Sequence, residues 1–208
     1  MSKISLEVLS KKEQEDLFKL LKFFEEGGSL AGGTALMLQL YFRRSYDFDI
    51  FFNYEIPEKF LRNASEIFSK SIKVLINSKD ELTFVSTNKV RISFVYFPFK
   101  RKYKIIDYKS IKISDIKDIA SDKAYAIGRR PQYRDYVDLF FIIKSGFGLG
   151  QIIKDSKEKF GGEFSEKLFL SQLVYFEDIS DYTIEFTKNI ISKDKIKYFF
   201  ENQIRALL

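Results

Sequence analysis

The sequence has no cysteine and no histidine, and only three prolines and ten glycines in 208 residues. Without cysteine there are no disulfides and no thiolate nucleophiles. Without either residue, ordinary zinc sites and Ser-His-Asp triads are excluded as well. Any catalysis has to use carboxylates, Lys, Arg, Tyr or hydroxyls, and a metal bound by such groups is a hard cation such as Mg²⁺ or Mn²⁺. Long apolar runs are also missing: none approaches the ~18–20 residues of a membrane helix, and "MSKISLEVLSKK" is not built like a signal peptide. The expectation is a cytoplasmic protein with no membrane partner. The scarcity of proline and glycine, with no repeat and no low-complexity segment, implies one continuous globular unit.

At 45% hydrophobic residues, a chain of 208 residues can bury a real core, as one domain or two small ones packed together. Its formal net charge of +6 favours polyanionic partners such as RNA or nucleotides, although Lys and Ile usage of this kind equally fits an AT-rich genome.

Along the chain, "SKKEQEDLFKLLKFFEEGG" carries Leu17, Leu20, Leu21 and Phe24 at helical spacing, with Gly27 and Gly28 as a stop. A short strand "SLAG" leads into Gly32-Gly33-Thr34. "ALMLQLYF" then reads as a buried helix ending at Arg43 and Arg44, and "YDFDIFF" as a strand. After a helix opened by Pro57 and running to about Ser69, the β-branched and aromatic runs "IKVLIN", "ELTFVST", "KVRISFVYF" and "YKIID" read as an antiparallel continuation of the sheet. From Ser114 the pattern is helical, in five segments ending with "KDKIKYFFENQIRALL". The fold class is therefore α+β, a mixed sheet with flanking helices followed by a helical C-terminal half. Residues 1–110 form the α/β core and 111–208 the helical region, the two sharing an interface.

In a strand, alternate side chains share a side, so Asp47 and Asp49 point one way while Phe48 and Ile50 point the other. Such a pair is either the solvent face of a strand or a site for one or two divalent cations, which relieve the repulsion between the acids. Gly32 and Gly33 stand before a helix, where unpaired amides can hold a phosphate. Thr34 is either the N-cap or a hydroxyl donor to that phosphate, and the alternative is a tight turn with a capping threonine.

Further on, Ile116, Ile119, Ala120, Lys123 and Ile127 lie on one helical face, which puts a lysine in an apolar stripe. Asp138 sits among Val137, Leu139 and Phe140, three residues after Asp135, and matches that inward lysine. The two clusters admit a purely structural account: an Arg134–Asp138 pair at i,i+4 and a Lys123–Asp138 bridge between helices.

The stretch "GGTALMLQLYFRRSYDFDIFF" resembles motif I of the AbiEii toxin-type nucleotidyltransferases, in the DNA polymerase beta-like superfamily. The family pattern is glycine, glycine or serine, a hydroxyl residue, a short helix, R-x-S, then D-x-D, read here as Gly32, Gly33, Thr34, Arg44, Ser45, Asp47 and Asp49. The resemblance implies metal ligation by Asp47 and Asp49, nucleoside triphosphate contact by Gly33 and Thr34, and a site shaped by Arg44 and Ser45. Similar proteins carry a lysine helix followed by R-D-x-x-D-L, which implies that Lys123 contacts the triphosphate while Asp138 assists, with Arg134 and Asp135 in support.

With no histidine, Asp138 is the proton acceptor or its orienter. The implied activity is transfer of an NMP from an NTP to a hydroxyl, with Mg²⁺ or Mn²⁺ as cofactor. The implied partners are an RNA acceptor such as a tRNA 3′ end and a cognate antitoxin. Two rivals stand beside it: a non-catalytic RNA- or protein-binding module, and transfer to a protein side chain. Superfamily enzymes commonly add a third carboxylate on a later strand. "NKVRISFVYFPF" has none, which leaves Asp107 in "KIIDY" as the candidate substitute. The run "KRKYK", Lys100 to Lys104, is either a solvated turn or a set of RNA phosphate contacts with a stackable tyrosine.

Overall fold

The computed structural model describes residues 4–179 and 181–207. The first three residues of the amino-terminal stretch, and Leu208 at the end of the last predicted helix, lie outside the described residues. The chain divides into two compact units. One holds the chain up to Tyr41, Ser45–Lys100 and Lys104–Asp115; the other holds Phe42–Arg44, Arg101–Tyr103 and the chain from Ile116 onward.

The first unit is built on a sheet. Ser10 caps α1 (Lys11–Lys19) in a capping box with Glu13. The helix expected to continue to Gly27 breaks at Leu20 and restarts as α2 (Leu21–Glu25). Then follow β1 (Ser29–Ala31), α3 (Gly32–Leu40), β2 (Asp47–Phe52) and α4 (Lys59–Phe68). The remaining strands are β3 (Lys73–Asn77), β4 (Glu81–Val85), β5 (Arg91–Tyr96), β6 (Ile106–Tyr108) and β7 (Ile111–Ile113).

Among the described residues the strands form one seven-stranded sheet in the order β3-β4-β5-β2-β1-β7-β6. The sheet is mixed, as expected, but its later strands are not simply an antiparallel continuation. β3, β4 and β5 pair antiparallel, whereas β5 joins β2 in parallel and β7 joins β1 in parallel. The strand β7, only three residues long, was not expected at all, and it carries β6 to the far edge.

The core explains the alternation of β2. Phe48, Ile50 and Phe52 are buried, and Phe52 meets Phe60 of α4 and Phe94 of β5 at ring-centroid distances of 5.1 and 5.9 Å. Phe23 of α2 stands 4.4 Å from the Phe94 ring, and Phe84 of β4 stands 5.8 Å from it. These edge-to-face and tilted contacts suit aromatic quadrupoles, and the residues gathered here come from α2, α4 and three strands.

α3 is shorter than its apolar run suggests. It ends at Leu40 because Tyr41 turns into the left-handed region at φ 46°, so Phe42, Arg43 and Arg44 lie beyond the helix and do not cap it.

The second unit is helical: α5 (Ile116–Ile127), α6 (Tyr133–Lys144), α7 (Leu149–Phe160), α8 (Glu166–Val174) and α9 (Lys193–Arg205), all five segments as expected. Among the described residues no single helix is long and apolar enough to cross a membrane.

Two short pieces from earlier in the chain complete this unit. Phe42 stacks on Phe141 at 4.1 Å, and the backbone around it bonds to the segment near Phe186, with Arg44 N–H donating to Glu185 O and Thr187 N–H to Phe42 O. The other piece, Arg101–Tyr103, is the middle of "KRKYK": Lys100, Lys102 and Lys104 are exposed, as a solvated turn would have them, while the segment itself is tied down by acids of the helical unit. The Asp118 carboxylate accepts the amides of Lys102 and Tyr103 at 3.0 and 2.9 Å. The Lys102 ammonium and the Tyr103 hydroxyl both reach Asp155, at 2.6 Å. Lys159, nearly inaccessible, pairs with Asp118 and Asp122.

Phe94 lies at the centre of the aromatic cluster and is fully buried. Phe94→Ala is expected to destabilise the sheet unit by about 3–5 kcal/mol through lost burial and the cavity left behind, read as a lower urea midpoint.

Candidate active site

The site begins where β1 runs directly into α3. Ala31, extended at φ −127°, is the N-cap of α3 and pairs with Asp49 across the antiparallel ladder. Gly32 follows at φ +62°. A Cβ at Gly32 would lie 2.6 Å from Asp49 Oδ2, so only glycine lets the carboxylate approach the first turn of the helix this closely.

Thr34 is therefore not the N-cap. It is fully buried, and its hydroxyl donates to the Asp47 carbonyl at 2.5 Å and lies 3.0 Å from the Ser45 Oγ. The Ser45 amide in turn contacts the Met37 sulfur at 3.3 Å. The predicted group Gly32, Thr34, Ser45, Asp47 and Asp49 is thus brought together, with Gly33 in the same helical turn. The hydroxyls serve to fix the start of β2 against α3.

On β2, Asp47, Asp49 and Phe51 are half-buried on one face, opposite the buried Phe48, Ile50 and Phe52. Two carboxylates at strand spacing beside helix amides suit a hard divalent cation, which takes oxygen ligands and keeps several waters when the protein supplies only two carboxylates. The close fit of Asp49 against Gly32 is consistent with such a donor pair. Next to Asp49 in the parallel register stands Ser93, and next to Asp47 stands Arg91, so β5 brings no acid to this row. Beyond Ser93 comes Thr83, whose hydroxyl bonds to Ser93 at 2.8 Å and to Glu81 at 2.5 Å. Asp107 is not a substitute: β1 and β7 separate its strand from β2, and Lys112 holds its carboxylate. Among the described residues no group of three or more acids is arranged to hold a metal ion.

Lys123, Asp135 and Asp138 belong to the helical unit, where they form one buried network. The Lys123 ammonium lies 2.5 Å from Asp135 Oδ1 and 2.7 Å from Asp138 Oδ2. The arginine that completes the network is Arg43, whose Nε and Nη2 donate to Asp138 Oδ1 and Oδ2 at 2.6 and 2.8 Å. The anticipated Arg134–Asp138 pair does not form. Arg134 is exposed and its Nε donates to Gln132 at 2.9 Å. Nor is Arg44 the arginine of this network; its carbonyl accepts from Arg43 Nη1 and its amide donates to Glu185.

Sequence reasoning missed Arg43. The available signal was the spacing itself, because R-x-S counted back from Ser45 begins at Arg43.

The electrostatics follow from this geometry. Burial pushes the Asp138 carboxyl up, but the charges and hydrogen bonds of Arg43 and Lys123 outweigh it and hold the group below the usual carboxylate range. Burial would lower Lys123, yet Asp135 and Asp138 raise it, so it stays an ammonium. Asp135 Oδ2 is buried with no hydrogen-bond partner among the described residues. With both oxygens engaged by cationic donors, the Asp138 carboxylate is a poor proton acceptor.

Two measurements check this site. Gly32→Ala is expected to destabilise the protein by about 1–2 kcal/mol from the left-handed backbone alone, and the contact with Asp49 adds to that, as seen in chemical denaturation. Asp138→Asn, which strands two buried cations, should cost about 3–5 kcal/mol near neutral pH. Because the Asp138 carboxyl is depressed on folding, its contribution is complete above its unfolded value of about 3.9 and is lost as the pH falls through the folded value. The gap between wild type and Asp138→Asn should therefore narrow in acid, which thermal unfolding between pH 2.5 and 7 would follow.

No family model matches the chain. Among curated proteins, an uncharacterized protein of Aquifex aeolicus, aq_aa25, is 32% identical over 188 residues, spanning 86% of this chain and 87% of that protein. Among solved structures, a protein of H. pylori assigned as a nucleotidyltransferase aligns with a TM-score of 0.57 at 15% identity over 96% of both chains. JHP933 from Helicobacter pylori aligns at 0.54 and 17% identity, over 96% of this chain and 97% of that one. MenT4, a nucleotidyltransferase toxin of Mycobacterium tuberculosis, aligns at 0.54 and 14% identity, over 93% of this chain and 79% of that one. The architecture is thus a nucleotidyltransferase fold, and by sequence the chain belongs to one family with the Aquifex aeolicus protein.

Proposed function

We propose that the protein is a metal-dependent nucleotidyltransferase that moves an NMP from an NTP to a hydroxyl of an RNA acceptor, such as a tRNA 3′ end. We further propose that it is an AbiEii-type toxin with a cognate antitoxin. The observation that carries this reading is the junction of β1 and α3, where Gly32 admits the Asp49 carboxylate beside helix amides and Asp47 shares its face. Support also comes from the fold, which is that of MenT4, itself a nucleotidyltransferase toxin, and from a net charge of +6 that suits a polyanionic acceptor.

In this mechanism Asp47 and Asp49 hold Mg²⁺ or Mn²⁺. When bound, the ion neutralises charge on the α-phosphate and lowers the pKa of the attacking hydroxyl. The amides of Gly33 and Thr34, in the first turn of α3, hold phosphate oxygens, an arrangement that helix amides and their dipole favour. The Thr34 hydroxyl contributes by fixing the Asp47 carbonyl, and Ser45 joins the same contact. Arg44 shapes the approach to the site. Lys123 binds the departing pyrophosphate, oriented by Asp138 and Asp135, while Arg134, exposed and bonded to Gln132, stands outside that network. Catalysis is positioning and charge neutralisation, with the reacting groups held before the reaction begins.

Purified protein with Mg²⁺, each labelled NTP in turn and total tRNA tests the reading. Label entering RNA is the expected result, with Asp49→Ala reducing it at least a hundredfold, on the order of the loss when one preorganised charge-stabilising group is removed. Label entering protein points instead to a side-chain acceptor. Full incorporation by Asp49→Ala excludes the proposed metal site, whereas no incorporation by the wild type leaves a non-catalytic binding module.

A further inference from the structure

We propose that Arg43 is the positioning residue for Lys123: its guanidinium fixes the Asp138 carboxylate, and that carboxylate together with Asp135 fixes the ammonium. The proposal rests on the reading of Lys123 as a phosphate-binding residue.

Four buried charges make up the network, two acids and two cations. Arg43 is 6% exposed, Asp135 and Asp138 are inaccessible, and Lys123 is 8% exposed. Asp138 accepts from Arg43 on both oxygens and meets Lys123 on Oδ2. A two-pronged fork of this kind fixes the plane of a carboxylate, which a lysine at the same position would leave free to rotate.

The division of charge matters as much as the geometry. Arg43 neutralises Asp138, so the ammonium of Lys123 is opposed in full only by Asp135. The four charges then sum to zero, so an incoming phosphate meets no net negative charge at Lys123. Without Arg43 the network carries a net negative charge, and Lys123 is held as the sole counterion of two carboxylates.

Arg43 can play this part because its backbone is anchored independently of its side chain. Phe42 stacks on Phe141, Arg43 bridges to Phe186, and the amides of Arg44 and Thr187 donate to Glu185 and Phe42. A variant that loses the fork therefore keeps these contacts. The charged groups that face Asp138 are Arg43 from the segment Phe42–Arg44 and Lys123 from α5; on its own helix Asp135 stands one turn earlier and also meets Lys123.

The test compares wild type, Arg43→Met, Arg43→Lys, Lys123→Met and the double variant Arg43→Met/Lys123→Met in the full chain. Binding of the four α,β-methylene nucleoside triphosphates with Mg²⁺ is measured by calorimetry, using whichever the wild type binds best. Arg43→Met is expected to weaken binding about tenfold, within the range for residues coupled in one network. Arg43→Lys should fall between it and wild type, and the double variant should be no weaker than Lys123→Met alone. Losses that add in full, or wild-type affinity in Arg43→Met beside a weakened Lys123→Met, overturn the proposal. Wild-type affinity in Lys123→Met overturns the phosphate reading, and with it this use of Arg43.

Stability separates that failure from a wrong account of the network. Removing Arg43 raises the Asp138 carboxyl, so at the acidic end of the range the variant takes up a proton that wild type does not; as pH rises that proton is lost and the network bears its net negative charge, and the difference in unfolding midpoint should widen from about pH 4 to 8. A constant difference across that range means that Arg43 only fills space.

Discussion

The alternation of β2 is the constraint from which the candidate site follows. Phe48, Ile50 and Phe52 have to be buried, because aromatic rings from α2, α4, β4 and β5 leave no other stable arrangement for that strand. A slip of one residue would bury two aspartates and expose three large apolar side chains, an error costing many kcal/mol. The acids are thus fixed on the opposite face by the packing of residues that take no part in chemistry. Their own mutual repulsion is tolerated because the core, on the far side of the sheet, supplies the stability.

The second requirement is close approach of backbone to carboxylate. Ala31 pairs with Asp49, and the chain turns at once into α3 through the left-handed conformation of Gly32. With no loop between strand and helix, the amides of the first turn stand beside the acid of the neighbouring strand. Thr34 and Ser45 then tie the start of β2 to α3.

Much of this was legible in the sequence, for physical reasons. Period-two alternation in "YDFDIFF" survives any tertiary context that buries one face, so the shared side of Asp47 and Asp49 could be read directly. Lys123 and Asp138, charged residues within apolar stripes, needed each other in the interior, and they do meet. What could not be read depended on distant partners. Arg43 and Arg44 are chemically identical neighbours, separated only by a carboxylate 95 residues away. Tyr41 ends α3 by a backbone conformation that nothing in its side chain announces, and β7 is too short to show periodicity. The anchoring of "KRKYK" could not be read because Asp118 and Asp155, which hold its middle, lie 15 to 53 residues further on.

The helical unit is assembled from three separated pieces of sequence, and this bears on its autonomy. A fragment beginning at Ile116 would contain every helix from α5 to α9 but neither Arg43 nor Arg101–Tyr103. Asp138 would keep a single cation and Asp118 would lose two amide donors, and both acids are buried. The domain is therefore complete in three dimensions yet interrupted along the gene, and exchange of the helices between relatives by a single crossover at that boundary would separate them from their own counterions.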